Sequence, residues 1–74
     1  MRYKAEIIIN KDEHGYFAYC PALPGCVTQG ESYEQTILHA KEAVSLYLST
    51  MSEEEIKAAL SQEIVTTSVD VAIA

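Results

Sequence analysis

One short stretch, residues 19–32 (YCPALPGCVTQGES), does most to limit the folds open to this chain of 74 residues. It holds both prolines and two of the three glycines. Each proline fixes φ and removes one backbone donor, which stiffens the chain and interrupts regular hydrogen bonding. Gly25, directly after Pro24, suits the positive φ of a type II turn. The stretch therefore predicts a rigid connector between two strands, and its last residue, Ser32, predicts a helix cap.

The residues on both sides of this connector predict three strands. Residues 2–9 alternate polar and apolar side chains, as a strand with one buried face does, and only Ile8 breaks the alternation. The turn-forming stretch NKDEHG (10–15) and the aromatic-rich YFAYC (16–20) complete a β-hairpin. After the Pro-Gly pair, CVTQ (26–29) predicts a third, short strand.

Capping signals predict two helices after the third strand. Ser32 and Gln35 fit a capping box, so a helix of about four to five turns is expected to begin at Tyr33. Ser52 and Glu55 fit a second capping box at the start of a short helix, SEEEIKAALSQ. The apolar side chains that the first helix is expected to bury are Tyr33, Ile37, Ala40, Val44, Tyr47 and Leu48.

Residues 65–73 alternate again and predict a final strand with one inner face. The element order is then β-β-β-α-α-β in one α+β domain that spans residues 1–74. Domains of about 70 to 80 residues bury a thin core and commonly add disulfides, a metal or self-association. With two cysteines and a reducing compartment expected, self-association is the favoured prediction.

The charge balance limits the partners of the chain. Eleven acidic side chains against five basic ones give a net charge of −6, which repels phosphate backbones and attracts a basic partner. No apolar run approaches the roughly 18 residues that cross a bilayer, and residues 1–10 lack the apolar segment and cleavage site of a signal peptide. We therefore expect a cytoplasmic protein that binds neither membranes nor, non-specifically, nucleic acids.

Residues 15–48 (GYFAYCPALPGCVTQGESYEQTILHAKEAVSLYL) closely resemble the core of the HicB-like antitoxin family. The match covers roughly residues 3–48, and the last strand agrees with the family in place and pattern. Leu38 and His39 depart from the family's usual helix pattern, as does the second helix. The most specific part of the pattern is the set Pro21, Leu23, Pro24, Gly25, Cys26, Thr28 and Gly30.

The resemblance implies a partial ribonuclease H-like fold, a three-stranded antiparallel sheet that is packed by one main helix and extended by a final strand. It also implies the antitoxin of a type II toxin–antitoxin pair, which binds HicA, a small basic mRNA-cleaving ribonuclease, and occludes its active site. Longer family members append a helix-turn-helix or ribbon-helix-helix module for operator binding. The sequence shows no such module, so we expect no direct DNA binding.

Acidic and aromatic side chains near the hairpin are the candidate partner-binding residues. Acidic groups steer a basic partner and speed encounter, whereas aromatic anchors supply affinity. Alternation places Phe17 and Tyr19 on one face of their strand and Tyr16 on the other. Leu38 and Leu46 lie outside the apolar stripe of the first helix and are the candidate self-association patch of a dimer or tetramer. The candidate partner-binding residues are Asp12, Glu13, Tyr16, Phe17, Tyr19 and Glu31.

The two cysteines and two histidines are expected to be structural, and we predict no metal or cofactor. Five residues separate Cys20 from Cys26, too many for a Cys-x-x-Cys redox motif, and no second pair completes a zinc site. We expect two small buried side chains at strand ends; a disulfide is conceivable across the connector but is disfavoured in a reducing compartment. His14 is expected in a solvated turn and His39 at the edge of the apolar stripe.

Two other functions compete with that of an antitoxin. One is an orphan oligomeric module that binds a small ligand or another protein; a neighbouring gene for a small basic protein would favour the antitoxin instead. The other is a degenerate metal-dependent nuclease, for which Glu6 and Glu42 are the only plausibly placed acids. Two-metal cleavage needs several carboxylates that converge on the metal ions. Both glutamates are expected to be solvated, so the sequence predicts no enzyme.

Overall fold

Three antiparallel strands are followed by two helices in the computed structural model, which describes residues 2–74. The strands are β1 (Ile8–Asp12), β2 (Gly15–Tyr19) and β3 (Val27–Gly30), in the spatial order β1-β2-β3. The helices are α1 (Tyr33–Leu48) and α2 (Glu53–Leu60). α1 packs on β2 and β3. The predicted α+β class and the antiparallel sheet are confirmed.

β1 begins at Ile8 and continues to Asp12, so the bounds predicted for the first strand, residues 2–9, are wrong. The reason is the register of the hairpin, in which Ile8 lies opposite Tyr19, the last residue of β2. Extended backward, this register sets residues 2–7 against the connector and its two prolines. A ladder cannot continue there, because proline donates no hydrogen bond and the connector turns away from the strand direction.

Two consecutive β-turns make the connector rigid. In the first, the Leu23 N–H donates to the Cys20 carbonyl at 3.1 Å; in the second, the Cys26 N–H donates to the Leu23 carbonyl at 3.0 Å. A proline takes the second position of each turn, where its fixed φ fits. Gly25 takes the third position of the second turn with φ +81°, so the predicted type II turn is confirmed. The Cys20 N–H also donates to the Cys26 carbonyl at 3.0 Å and closes the loop.

α1 begins at Tyr33 as predicted, but its cap is not the full capping box. The Gln35 N–H donates to Ser32 Oγ at 3.1 Å. The Gln35 Oε1 accepts from the Glu31 N–H at 2.6 Å rather than from the Ser32 N–H that the motif requires. The chain that enters α1 is therefore held at two successive residues.

The predicted buried stripe of α1 is correct for its C-terminal half, which packs on the core. Near the N-terminus, Tyr33 and Ile37 are 52% and 38% exposed, and Thr36 is fully buried instead. Gly30 explains this difference, because its missing side chain lets Thr36 lie directly against the end of β3. Ile37 is left at the border of an open groove.

α2 has the complete capping box that the sequence predicts. The Glu55 N–H donates to Ser52 Oγ at 3.1 Å, and the Ser52 N–H donates to Glu55 Oε1 at 2.8 Å. The backbone hydrogen bond from Ser52, and after it the bond with the Ser52 side chain, lowers the pKa of Glu55. The helix buries Ile56 and packs Ala59 and Leu60 on the core.

Replacing Ser52 with alanine is expected to lower the free energy of unfolding by about 1 kcal/mol, because the substitution removes one side of the cap. Glu55→Gln tests the other side through its pH dependence. Since the folded-state pKa of Glu55 lies below the unfolded-state value, the carboxylate stabilises the fold fully above the ordinary carboxyl range. This contribution is lost as the pH falls through the folded-state pKa. Urea unfolding followed by circular dichroism at neutral and acid pH measures both effects.

Glu54→Gln is the matched control, because Glu54 lies in the same first turn of α2 and is not the residue that closes the cap. Its effect on stability is expected to be smaller than that of either cap variant. A stability difference between wild type and Glu55→Gln that stays constant as the pH falls would contradict the role of the ionised carboxylate.

Residues 65–73 form no strand in the described chain, so the predicted final strand does not form within this chain. The apolar side chains of the segment, at Val65, Val69, Val71 and Ile73, are 73–92% exposed. Alternation tells which side of a segment is suited to burial, but a strand also needs a neighbouring edge to bond with. The sheet of the described chain has three strands only, and neither of its edges takes up this segment.

The core lies where the connector meets the two helices. Its centre is a cluster of four buried residues, Cys20, Ala22, Leu23 and Cys26. The Tyr47 hydroxyl donates to the Pro24 carbonyl at 2.9 Å and ties α1 to the connector. Partly buried side chains around the cluster include Ala5, Ile7, Val44, Leu48, Met51 and Leu60. α1 covers one face of the sheet, and Phe17 and Val27 are exposed on the other face.

Candidate functional site

The outer face of the sheet, which is the face turned away from α1, carries an aromatic pair. Ala18 is fully buried and lines a small cavity with residues of α1, so its neighbours Phe17 and Tyr19 point to the opposite face. The ring centroids of Phe17 and Tyr19 lie 6.3 Å apart, with the ring planes tilted by 40°. This separation is within the range of favourable aromatic pairs. Phe17 remains 43% exposed, which makes it available as an anchor for a partner.

Two apolar side chains extend this pair across the sheet. The register places Ile8 of β1 and Val27 of β3 on either side of Tyr19. Val27 is 53% exposed and Ile8 is half-buried. We call Ile8, Phe17, Tyr19 and Val27 the outer-face patch. The sequence prediction omitted Ile8 and Val27, although the break in alternation at Ile8 already marked an apolar residue on the outward side.

Tyr16 lies on the other face of β2, as alternation predicts. It is half-buried, and the Lys11 Nζ lies 5.5 Å from its ring centroid, in the range of a cation–π contact. The side chain is therefore engaged by its neighbour on β1. The structure brings together two of the three predicted aromatic residues and separates the third.

Asp12, Glu13 and Glu31 lie at one end of the sheet. Asp12 ends β1 opposite Gly15, and Glu13 follows in the two-residue hairpin loop. A β-carbon built on Gly15 would lie 3.1 Å from the Gly30 carbonyl oxygen, so the start of β2 and the end of β3 are neighbours. Glu31 follows Gly30 directly. We call these three exposed carboxylates the acidic end.

The histidines have different surroundings. His14 is exposed in the hairpin loop, where its N–H donates to Asp12 Oδ1 at 2.8 Å and its Nε2 lies 3.5 Å from Glu13 Oε1. This is the solvated turn position that the sequence predicts. The His39 Nδ1 lies 2.8 Å from the Gln29 carbonyl oxygen; because a carbonyl only accepts, this nitrogen is the donor. His39 therefore links α1 to β3.

Cys20 and Cys26 are free thiols that are 3% and 7% exposed, so the predicted small buried side chains are confirmed. Burial, and to a smaller degree the neighbouring Cys20, raises the pKa of Cys26 above its ordinary value. A raised pKa keeps this thiol protonated at neutral pH, and the protonated form is neither a nucleophile nor a metal ligand.

Glu6 and Glu42, the acids of the nuclease alternative, are both exposed, Glu6 before β1 and Glu42 on α1. Among residues 2–74, no three side chains of histidine, cysteine, aspartate or glutamate lie close enough to hold a metal ion. The described residues thus offer no ligand set for two-metal cleavage. In the same part of the chain, no helix combines the length and apolar character that crossing a membrane requires.

Leu38 and Leu46, the predicted self-association patch, are 55% and 72% exposed on α1. Leu46 borders a shallow pocket with Val27 and Tyr47, on the β3 side of the helix. Their exposure leaves both side chains accessible. Their role in self-association stays a prediction.

Comparisons with known proteins identify the family. The model of the HicB-like antitoxin of bacterial toxin–antitoxin systems matches residues 3–72. A UPF0150 protein of Helicobacter pylori is 51% identical over 49 residues, which cover 66% of this chain and 68% of the relative. UPF0150 proteins of Archaeoglobus fulgidus and Thermoplasma acidophilum are 43% and 41% identical, over 70% and 68% of this chain and 77% and 74% of the relatives.

No solved structure matches this chain significantly. The family match includes every strand and helix described above, the proline connector among them. The resemblance seen in the connector residues is therefore confirmed over nearly the whole sequence. The chain belongs to the family of HicB-like antitoxins of bacterial toxin–antitoxin systems.

Proposed function

We propose that this protein is an antitoxin that binds a small basic ribonuclease of the HicA type in the cytoplasm and occludes its active site, without itself cleaving RNA. The observation that carries the proposal is the outer-face patch, a partly exposed apolar surface on a sheet whose other end carries three exposed carboxylates. Membership of the HicB-like family supports the class of partner. The net charge of −6 favours a basic one.

The scaffold proposed for this role is the partial ribonuclease H-like fold that the family resemblance implies. The three antiparallel strands, and α1 packed on two of them, support this proposal. The final strand that such a fold includes is not formed among the described residues.

The outer-face patch and the acidic end are proposed to act at different stages of binding. Exposed carboxylates at the acidic end attract a basic toxin over long range and raise the association rate. They contribute less to the final affinity, because exposed ion pairs are screened by salt. Phe17 supplies the anchor, since its ring is accessible and its position is fixed by Tyr19.

Suppression of RNA cleavage tests the proposal. A HicA-type toxin is incubated with an RNA substrate and increasing amounts of the protein, and cleavage is expected to stop near equimolar ratio. Phe17→Ala is expected to weaken toxin binding about thirtyfold or more, as the loss of a hot-spot residue does. Tyr33→Ala is the matched control, because Tyr33 is an aromatic residue of similar exposure, 52%, on α1.

The charge variants test the acidic end separately. Asp12→Asn, Glu13→Gln and Glu31→Gln together are expected to slow association at low salt and to leave dissociation nearly unchanged. A control with the same loss of negative charge combines Glu42→Gln, Glu54→Gln and Glu63→Gln. Equal binding by Phe17→Ala and wild type would rule out the outer-face patch as the binding surface. Failure of the protein to bind any HicA-type toxin would favour the orphan module.

A further inference from the structure

Residues 65–73 hold the four most exposed large apolar side chains of the described residues, at 73–92% exposure. We propose that this segment adds as a fourth strand to the β1 edge of the sheet in a second copy of the chain, so that two copies exchange their segments. The proposal concerns how the protein assembles and does not depend on the toxin.

The segment has the pattern of a strand with one buried side. Val65, Thr67, Val69, Val71 and Ile73 share one face, and Thr66, Ser68, Asp70 and Ala72 share the other. A pattern of this kind stabilises a strand only when an apolar surface covers the first face. Within its own chain the segment exposes both faces.

The sheet has one edge suited to receive a further strand. At β3, the Gln29 carbonyl is already bonded to His39, and α1 packs over this side of the sheet. β1 is bonded to β2 alone, so its other side presents unpaired backbone groups within the described sheet. Uncovered edges of this kind readily pair with another chain.

An open apolar groove of about 360 Å³ lies where the chain enters β1, between the residues that precede this strand and α1. Ala5 and Ile7 line it from the stretch before β1, and Ile37, Val44 and Leu48 line it from α1. Ile37 is 38% exposed here, although its place in the apolar stripe predicts burial. A strand laid along the β1 edge with its valines toward α1 covers this groove and completes the core.

Length and charge fit the same pairing. The nine residues 65–73 are long enough to run along the five residues of β1 and on past part of residues 2–7, which precede it. Three of the five basic side chains lie on this side of the chain, Lys11 in β1 and Arg2 and Lys4 in the residues before it. The only charged side chains among residues 61–74 are those of Glu63 and Asp70. Opposite charges on adjacent strands favour the pair modestly.

The shape of the chain favours pairing of residues 65–73 with the β1 edge of a second copy over pairing with the β1 edge of the same chain. Ile64 is half-buried near Lys4 and Glu6, and from Val65 onward the segment is exposed. The Cα radius of gyration is 14.4 Å, whereas a compact chain of this length has about 11 Å. Every copy carries both a segment and an edge, so exchange about a two-fold axis satisfies both at once.

The mass of the full chain in solution tests the proposal first. Sedimentation over a wide range of concentration is expected to give twice the chain mass of 8.2 kDa. Val69→Asp, on the valine face, is expected to raise the dimer dissociation constant about thirtyfold or more. Ser68→Asp adds the same charge on the opposite face and is expected to leave the dimer intact. Circular dichroism checks that both variants remain folded, as expected for side chains that are exposed in the single chain.

Mixed isotope labelling tests the exchange itself. In a dimer formed from ¹³C-labelled and unlabelled chains, nuclear Overhauser effects are expected between the Val69 methyl groups of one copy and Ile7 or Val44 of the other. A monomer whose own segment contacts Ile7 would overturn the proposal, and so would a monomer with a disordered segment. A dimer that Leu46→Asp dissociates and Val69→Asp does not would also overturn it and would place the interface on α1.

Discussion

Leu23→Ala is expected to lower the free energy of unfolding by about 3 kcal/mol, which is the usual cost of removing a buried leucine. Leu23 is 1% exposed and is the largest fully buried apolar side chain of the described residues. Domains of about this size seldom gain more than 3 to 5 kcal/mol from one core, so the variant is expected to be largely unfolded at physiological temperature. Thermal and urea unfolding followed by circular dichroism measure the loss.

The large effect follows from the position of Leu23 in the connector. Its carbonyl accepts the hydrogen bond that closes the second turn, and its N–H donates the bond that closes the first. Its side chain fills the space among the connector, α1 and α2. Loss of this contact is expected to loosen the end of β2. Tyr19, the last residue of β2, would then no longer be held in place in the outer-face patch.

Two control variants test whether the loss of stability comes from the cavity that Leu23→Ala leaves in the core. Leu46→Ala makes the same chemical change at a side chain that is 72% exposed and is expected to change stability by no more than about 0.5 kcal/mol. Leu23→Met keeps the side-chain volume and is expected to cost less than about 1.5 kcal/mol. Similar losses for Leu23→Ala and Leu46→Ala, at equal protein concentration, would contradict the role of the connector as the centre of the core.

The sequence was most informative where local chemistry decides the structure. The Pro-Gly pair predicts the type II turn because only that turn type needs positive φ after proline, and Gly25 has it. Ser52 and Glu55 predict a cap that needs only residues three apart. Alternation likewise predicts the faces of Phe17 and Tyr19 correctly, because a strand alternates its side chains wherever it lies.

Features that depend on distant neighbours were beyond the sequence. The first strand was misplaced because the register of the hairpin, and not the alternation, decides where β1 has a partner. Residues 65–73 have a clear strand pattern, yet pairing depends on an edge that their own chain does not bring to them. The four residues of the outer-face patch come from three strands, so only the register brings them together.

Gly30 shows how a residue suggests one role in the sequence and has another in the fold. The sequence places it in the turn that closes the third strand, where glycine commonly serves for its backbone freedom. Its φ is not in the left-handed region, in contrast to Gly15 and Gly25. Gly30 is required instead for space, because a β-carbon there would lie 2.5 Å from Thr36 Oγ1 and 2.9 Å from the Thr36 backbone nitrogen.

Gly30→Ala is therefore expected to destabilise the fold by about 1 to 3 kcal/mol, as other insertions into a packed site do. Thr36 cannot simply move away, since it is fully buried and its Oγ1 donates to the Ser32 carbonyl at 2.7 Å. To make room for the added methyl group, the first turn of α1 must move away from β3. This movement also displaces Glu31 of the acidic end, which lies between them in the chain. A double-mutant cycle with Thr36→Ala measures the contact, because removing the hydroxyl relieves the closest approach. The penalty of Gly30→Ala is expected to be smaller in the Thr36→Ala background, and an equal penalty in both backgrounds would show that crowding against the Thr36 hydroxyl is not its cause.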